Sequence, residues 1–169
     1  MAVAPLILAL ALDSESQAFF DGQRRAHFPP ERNHLAAHLT LFHALPGIEA
    51  AAIEATLATE AARQPLLDLP VRGVQFLGRG VAYVLESTEL LDLHRRLQQT
   101  WHPWLTPQDR QPRRLHVTVQ NKAEPAVARA LFARLEAEFV PFLAVGLGLQ
   151  LWTYRGGPWE ARASWGFGG

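Results

Sequence analysis

Two short histidine motifs carry the residue types and the spacing of a proton-transfer site. His38-Leu39-Thr40-Leu41 is matched by His116-Val117-Thr118-Val119, 78 positions further along the chain. Side chains alternate between the two faces of a strand, so each motif places its histidine and threonine on one face and its aliphatic pair on the other. If the two strands face each other, two imidazoles and two hydroxyls surround one small volume. Such a set suits a reaction that needs an acid, a base and a clamp on an anion.

The repetition of the motif, rather than either copy alone, points to function. A single histidine in a strand is usually structural or solvent-exposed, and the chain has seven histidines in all. Two of them fall in the same string at corresponding places of the two halves of the chain. Because imidazole gains and loses a proton near neutral pH, we expect catalytic chemistry at this pair.

The elements that must position the motifs follow from hydrophobic patterning, capping residues and turn residues. Their predicted order is β-α-β-α-β-β, followed by α-β-α-β-β. Strands are predicted over residues 4–12, 36–43, 68–77, 81–86, 114–120, 143–154 and 159–165. Helices are predicted from Ser14 to Phe28, from Ile48 to Arg63, from Ser87 to Trp101 and from Glu124 to Phe139.

The approximate match between the two halves indicates an internal duplication. We expect an α+β fold of two pseudo-symmetric lobes with mainly antiparallel sheets. Neither half, about residues 1–86 and 87–169, needs to be stable on its own, and we expect the two lobes to share a core. Residues 1–169 are therefore predicted to form one domain, in which strands can be exchanged between the lobes.

Composition excludes several classes of protein. Sixteen basic residues balance sixteen acidic ones, which argues against binding to long nucleic acid. The absence of cysteine excludes disulfides, thiol nucleophiles and cysteine-ligated zinc. The N-terminal sequence MAVAPLILALALD lacks a positively charged n-region, so a buried strand is expected there in place of a signal peptide. No later stretch is long enough to span a membrane. The absence of cysteine fits a cytoplasmic protein, and we expect a monomer.

A metal site is the main alternative use of the histidines. His34, His38 and His43 are clustered, and the first two have the spacing of neighbours on a helix. Position 35, however, holds leucine and not the glutamate of a metalloprotease helix, and the second half has no matching ligands. Strand alternation also places His43 on the face opposite His38. We therefore predict neither a metal nor another cofactor.

The paired motifs in a duplicated α+β chain resemble the two-histidine (2H) phosphoesterase superfamily. The resemblance is to its bacterial 2′-5′ RNA ligase-like, RNA 2′,3′-cyclic phosphodiesterase branch in particular. The similarity extends to LTLFHALPG after the first histidine, the FLGRGVAYVLE hairpin, the ELLDLHRRL helix and the closing LWTYRGGPWEARASW hairpin. It thus covers nearly the whole chain.

This resemblance implies helices outside a central cleft with both histidines at its floor. It also implies metal-independent hydrolysis of a 2′,3′-cyclic phosphate. His116 would be the general base that activates water, and His38 the general acid that protonates the leaving O3′, which leaves a 2′-phosphate. Thr40 and Thr118 would hydrogen-bond the phosphoryl oxygens. The reverse reaction would form a 2′-5′ linkage.

The chain departs from the family just after each motif. Family members that act on RNA often carry a basic residue there, whereas this chain has Phe42 and Gln120. Strand alternation places both on the face of the motif histidines, so we predict that Gln120 binds phosphate and that Phe42 stacks on a base. The positive charge is then expected from Lys122, with three other candidates: Arg113, Arg114 and Arg155.

Two functions of different classes remain open from the sequence. The first is a cyclic phosphodiesterase acting on short RNA ends or small cyclic nucleotides. The second is a binding module that uses the same cleft to hold nucleotides or RNA ends without turnover. Two intact proton-transfer groups favour the enzyme, because a binding module has no need of them.

Overall fold

The computed structural model describes residues 2–168, and its elements follow the order predicted from the sequence. The strands are β1 (Leu6–Leu12), β2 (Leu39–Leu45), β3 (Leu67–Phe76), β4 (Val81–Leu85), β5 (His116–Gln120), β6 (Phe142–Tyr154) and β7 (Trp159–Gly166). The α-helices are α1 (Ser14–His27), α2 (Ala50–Arg63), α3 (Thr88–Trp101) and α4 (Pro125–Glu138). None of the helices in residues 2–168 combines the length and the hydropathy that crossing a membrane would require.

The helices that precede the two motif strands start in the same way. The Asp13 side chain accepts a hydrogen bond from the Ser16 amide (3.1 Å) at the start of α1. The Ser87 hydroxyl does the same for the Leu90 amide (3.0 Å) at the start of α3. Each cap satisfies an amide that has no partner within its helix. The matching caps are a local sign of the duplication.

All seven strands join one antiparallel sheet in the order β2-β1-β6-β3-β4-β5, with β7 added to β6. The fold class predicted from the sequence is thus confirmed as α+β, and the two predicted sheets are continuous with each other. The strand that joins them is β6. Its first part, Phe142–Gly146, pairs with β3, and its remainder pairs with β1 on one edge and β7 on the other.

The sheet has two wings of equivalent order. We call β2-β1-β6 with β7 the first wing, and β5-β4-β3 the second wing. In the second wing β4 occupies the place that β1 has in the first. β6 of the second repeat completes the first wing, and β3 of the first repeat lies in the second. The motif strands β2 and β5 form the ends of the path and contact each other.

Each motif strand contains a β-bulge directly after its threonine. Thr40 lies opposite Ala9, but Phe42 lies opposite the adjacent Leu8, so β2 has one extra residue at this point, and a second register shift follows between Phe42 and Leu45. In β5, Thr118 lies opposite Ala82 and Gln120 opposite Val81, which is the same irregularity. A bulge shifts the alternation of faces by one position. Side chains beyond it therefore point to the faces opposite to those that strict alternation predicts.

A neutral histidine lies in the core beneath the first motif. The His94 ring is 3% exposed, stacks on Phe42 with 4.6 Å between ring centroids, and has Nε2 3.1 Å from the Leu41 carbonyl oxygen. Because the carbonyl can only accept, Nε2 carries the proton. Burial lowers the pKa of His94 to about 4. A buried imidazole resists protonation since its cation would be poorly solvated.

The free energy of unfolding should fall as the pH is lowered from about 6.5 to about 4. In this window the unfolded chain takes up a proton on His94 that the folded chain does not, which contributes on the order of 3 kcal/mol. Urea unfolding at several pH values measures the loss. His94→Leu should make the pH dependence shallower. Parallel profiles for wild type and His94→Leu would contradict this account.

Candidate active site

The two motif histidines are held by equivalent hydrogen bonds. His38 Nδ1 lies 2.8 Å from the Ala36 carbonyl oxygen, and His116 Nδ1 lies 2.9 Å from the Arg114 carbonyl oxygen. A carbonyl oxygen only accepts, so each Nδ1 carries a proton and each neutral ring has a bare Nε2. The two Nε2 atoms are therefore the positions at which a proton can be taken up or released.

The structure brings the two imidazoles into one electrostatic environment. The pKa of His38 is lowered to about 4, chiefly by burial, and positive charge on His43 and His116 acts in the same direction. Burial also lowers the pKa of His116, with contributions from the charges of Arg113 and His43. Both rings are half-buried, and their partial burial disfavours the charged imidazolium form.

The two motif threonines follow their histidines along the same faces. Thr40 and Thr118 are half-buried and lie opposite the small residues Ala9 and Ala82. The Thr118 carbonyl oxygen accepts a hydrogen bond from Arg24 Nη1 at 3.2 Å, which ties the second motif to helix α1. The role of the two hydroxyl groups in binding phosphate stays a prediction.

Phe42 cannot stack on a base, and that prediction was wrong. Its side chain is 0% exposed and packs between His94 and Trp101, whose ring centroid is 5.3 Å away. The bulge after Thr40 turns Phe42 away from the cleft and into the core.

The equivalent residue of the second motif is also turned inward, which argues against Gln120 as a phosphate ligand. Gln120 is 4% exposed, and its Nε2 donates to the His27 carbonyl oxygen at 3.3 Å. Within residues 2–168 its Oε1 has no hydrogen-bond partner. Lys122 is exposed in the turn after β5, with φ of 58°, and its role in phosphate binding stays a prediction.

The same bulge corrects the placement of His43. Strict alternation places it on the face opposite His38, yet its charge acts on both motif histidines. Its Nδ1 lies 3.2 Å from Arg113 Nη1 and 3.4 Å from Asp109 Oδ1. His43 therefore joins the site as a third imidazole at its border.

The buried carboxylate of Asp109, which the sequence analysis did not identify, holds the backbone at His43 in place. The Asp109 side chain is 0% exposed and accepts hydrogen bonds from the backbone amides of His43 (2.8 Å) and Ala44 (2.9 Å). Burial opposes its ionisation, but the hydrogen bonds from His43 and Ala44 outweigh burial and lower the pKa of Asp109. The anion holds the strand beyond the bulge and balances the nearby charge of Arg113.

Two arginines supply positive charge from opposite sides. Arg24 is 4% exposed, donates from Nε to Asn33 Oδ1 at 3.1 Å, and its charge acts on His38. Half-buried Arg113 acts on His116, and its buried Nε has no partner within residues 2–168. Arg113 was one of the candidate cations, whereas Arg24 was missed. The helical spacing of Arg24 from buried Phe20 was the one available indication.

Each wing of the sheet has a groove, and one of the two grooves is lined by a motif histidine. The first, here called the His38 groove, has a volume of about 530 Å³ and is lined by His38, Gln150, Trp152 and Trp159 among others. The second has a volume of about 800 Å³ and includes Arg113, Arg114 and Phe132 in its lining. Arg155, the remaining candidate cation, is exposed and ion-paired with Glu160 at 2.9 Å.

Comparison with known proteins agrees with the motifs and the fold. The family model of the 2′-5′ RNA ligase superfamily matches residues 12–158, which confirms the resemblance drawn from the paired motifs. The crystal structure of TT0787 of Thermus thermophilus is similar, with a TM-score of 0.69, 18% identity and 98% of each chain covered. E. coli LigT in complex with 3′-AMP gives a TM-score of 0.63, 20% identity and 98% coverage of each chain. No curated protein sequence matches this chain.

Phe42→Ala should destabilise the protein by about 3–5 kcal/mol, because it opens a cavity between His94 and Trp101. Equilibrium denaturation in urea measures the loss. Val140→Ala serves as a surface control, since Val140 is 74% exposed, and should change the free energy of unfolding by less than about 0.5 kcal/mol. An equally small effect of Phe42→Ala would contradict the burial of the Phe42 ring and support an exposed ring.

Proposed function

The chain belongs to the 2′-5′ RNA ligase superfamily, and we propose that it hydrolyses 2′,3′-cyclic phosphodiesters to 2′-phosphomonoesters without a metal. Family and fold together support an enzyme of the phosphoesterase or ligase type. The observation that carries the finer proposal is the matched pair of imidazoles, each with Nδ1 bound to a carbonyl and Nε2 left for chemistry. The substrates would be RNA ends or small cyclic nucleotides.

The two histidines divide the proton transfers in this proposal. His116 Nε2 takes a proton from water, whose oxygen forms a bond to phosphorus. His38 Nε2–H gives a proton to O3′ as the bond from phosphorus to O3′ breaks. The product is a 2′-phosphate with a free 3′-hydroxyl. A 5′-hydroxyl in place of water would give a 2′-5′ linkage by the same steps.

The lowered pKa values bear on how the site is charged. At pH 7 the free protein has few His38 rings in the acid form, because the pKa of His38 is about 4. A bound phosphodiester adds a negative charge beside the ring and raises that pKa, since an opposite charge favours the imidazolium. Substrate binding therefore favours protonation of His38, the proposed acid, whereas the His38 ring of the free protein stays neutral.

Charge stabilisation would come from the hydroxyls and from the arginines. Negative charge builds on the non-bridging oxygens during phosphoryl transfer, and in this proposal the hydroxyls of Thr40 and Thr118 donate hydrogen bonds to them. Arg113 is the cation next to His116, and its Nε has no partner within residues 2–168. We assign to Arg113 the role that a basic residue after the motif has in other family members.

His38→Ala and His116→Ala should each lower kcat by at least about 10²-fold, because each removes one proton-transfer group. The assay is turnover of adenosine 2′,3′-cyclic phosphate in EDTA, with the position of the product phosphate assigned by ³¹P NMR. His102→Ala, which changes an exposed histidine, is the matched control and should keep wild-type activity.

Full activity in either motif variant would rule out the acid–base pair. Wild-type protein that binds nucleotide but turns none over would support the binding module and overturn the enzyme. Activity that disappears in EDTA and returns with a divalent metal would contradict the metal-independent route.

Arg113→Gln should lower kcat/KM by about tenfold or more, because a charge-assisted contact to the phosphate is lost. Arg114→Gln is the matched control, since its side chain is exposed one position away. Loss of the Arg113 charge should also raise the pKa of His116, which NMR titration of the ring can follow. An unchanged His116 titration together with unchanged kcat/KM would remove Arg113 from the site.

A further inference from the structure

We infer that the His38 groove binds the nucleobase of the nucleoside that carries the cyclic phosphate, with Trp159 as the stacking surface. This inference rests on the proposed function and adds the direction in which the substrate lies. It concerns residues of the final hairpin that the acid–base chemistry does not use.

Three aromatic rings line up along one wall of the groove. The Trp159 ring centroid is 4.5 Å from that of His38 and 6.1 Å from that of Trp152, with tilted planes in both pairs. Trp152 and Trp159 are both half-buried, so part of each indole faces the cavity. A volume of about 530 Å³ lies within the usual range of ligand pockets. The wall thus offers aromatic surface directly beside the proposed acid.

The direction of the substrate follows from the chemistry. The leaving O3′ stays on the same ribose as O2′, so the ribose must lie beside the group that protonates O3′. That group is His38, whereas the attacking water lies on the side of His116. The nucleobase, attached to the far side of the ribose, then extends away from His116. The cavity that borders His38 is the groove of the first wing.

The composition of the groove suits a neutral heterocycle better than a second phosphate. Its lining includes no arginine or lysine, and its one carboxylate is Asp21, within the part of the chain that the structure describes. Asp21 Oδ1 accepts hydrogen bonds from the Ala37 amide (2.7 Å) and from Gln17 Nε2 (3.0 Å). The arginines lie instead in the groove of the second wing. Stacking on an indole accepts any base, so discrimination among bases should be weak.

The test compares two substrates that differ only in the base. Adenosine 2′,3′-cyclic phosphate carries a base, whereas methyl riboside 2′,3′-cyclic phosphate does not. Trp159→Ala should raise KM for the adenosine compound by roughly 5- to 150-fold and leave KM for the riboside nearly unchanged. Trp159→Phe should restore most of the affinity. Trp104→Ala, which changes a tryptophan 37% exposed outside the groove, is the matched control.

Equal losses on both substrates would overturn the inference, because Trp159 would then act by packing against His38. A wild-type protein that binds the two substrates equally well would overturn it too. Binding of adenosine 2′-monophosphate, followed by calorimetry, needs no turnover. If that nucleotide binds and Trp159→Ala abolishes binding while no cyclic phosphate is hydrolysed, the inference stands and the proposed function falls.

Discussion

The site depends on contact between the two ends of a single sheet. β2 and β5 are the outermost strands of the hydrogen-bonded path, yet they contact each other. Arg24 secures this contact from helix α1 by donating to the Thr118 carbonyl oxygen. A guanidinium that is 4% exposed is costly to bury, and its hydrogen bonds and its contact with the Phe28 ring at 4.1 Å offset that cost. Without this contact the two imidazoles would belong to separate surfaces.

Local features of the sequence were sufficient to predict the elements and the histidine pair. Apolar runs, the caps at Asp13 and Ser87, and the turn glycines depend only on neighbouring residues, so they specify helices and strands whatever the tertiary structure. The errors at Phe42, Gln120 and His43 share one cause. A bulge is a property of how two strands pair, and neither strand's own sequence shows that its partner is one residue short.

The buried charges of Asp109 and Arg24 could not be predicted from the sequence for a different reason. Asp109 lies in an irregular segment rich in proline and polar residues, a composition typical of a solvated loop. Its carboxylate is buried because two backbone amides of β2 that follow the bulge need an acceptor. These amides lie 65 and 66 positions away in the chain. Arg24 likewise occupies a helix whose sequence fits an exposed polar face, and its partners Asn33 and Thr118 lie 9 and 94 positions away in the chain.

Because β7 is added to the first wing alone, the two wings of the otherwise similar scaffold differ from each other. Two equivalent motifs alone would present the same groups to both sides of a phosphate. The indole of Trp159 at the start of β7, however, lies beside the His38 motif. If Trp159 binds the base as we propose, ligand preference and proton transfer are assigned to separate stretches of the chain. The turn at residues 155–158 can accept insertions or exchanges, and such changes would alter what the protein selects while the carbonyl contacts of both imidazoles stay intact. Diversity within this architecture is thus expected to concentrate in its terminal hairpin.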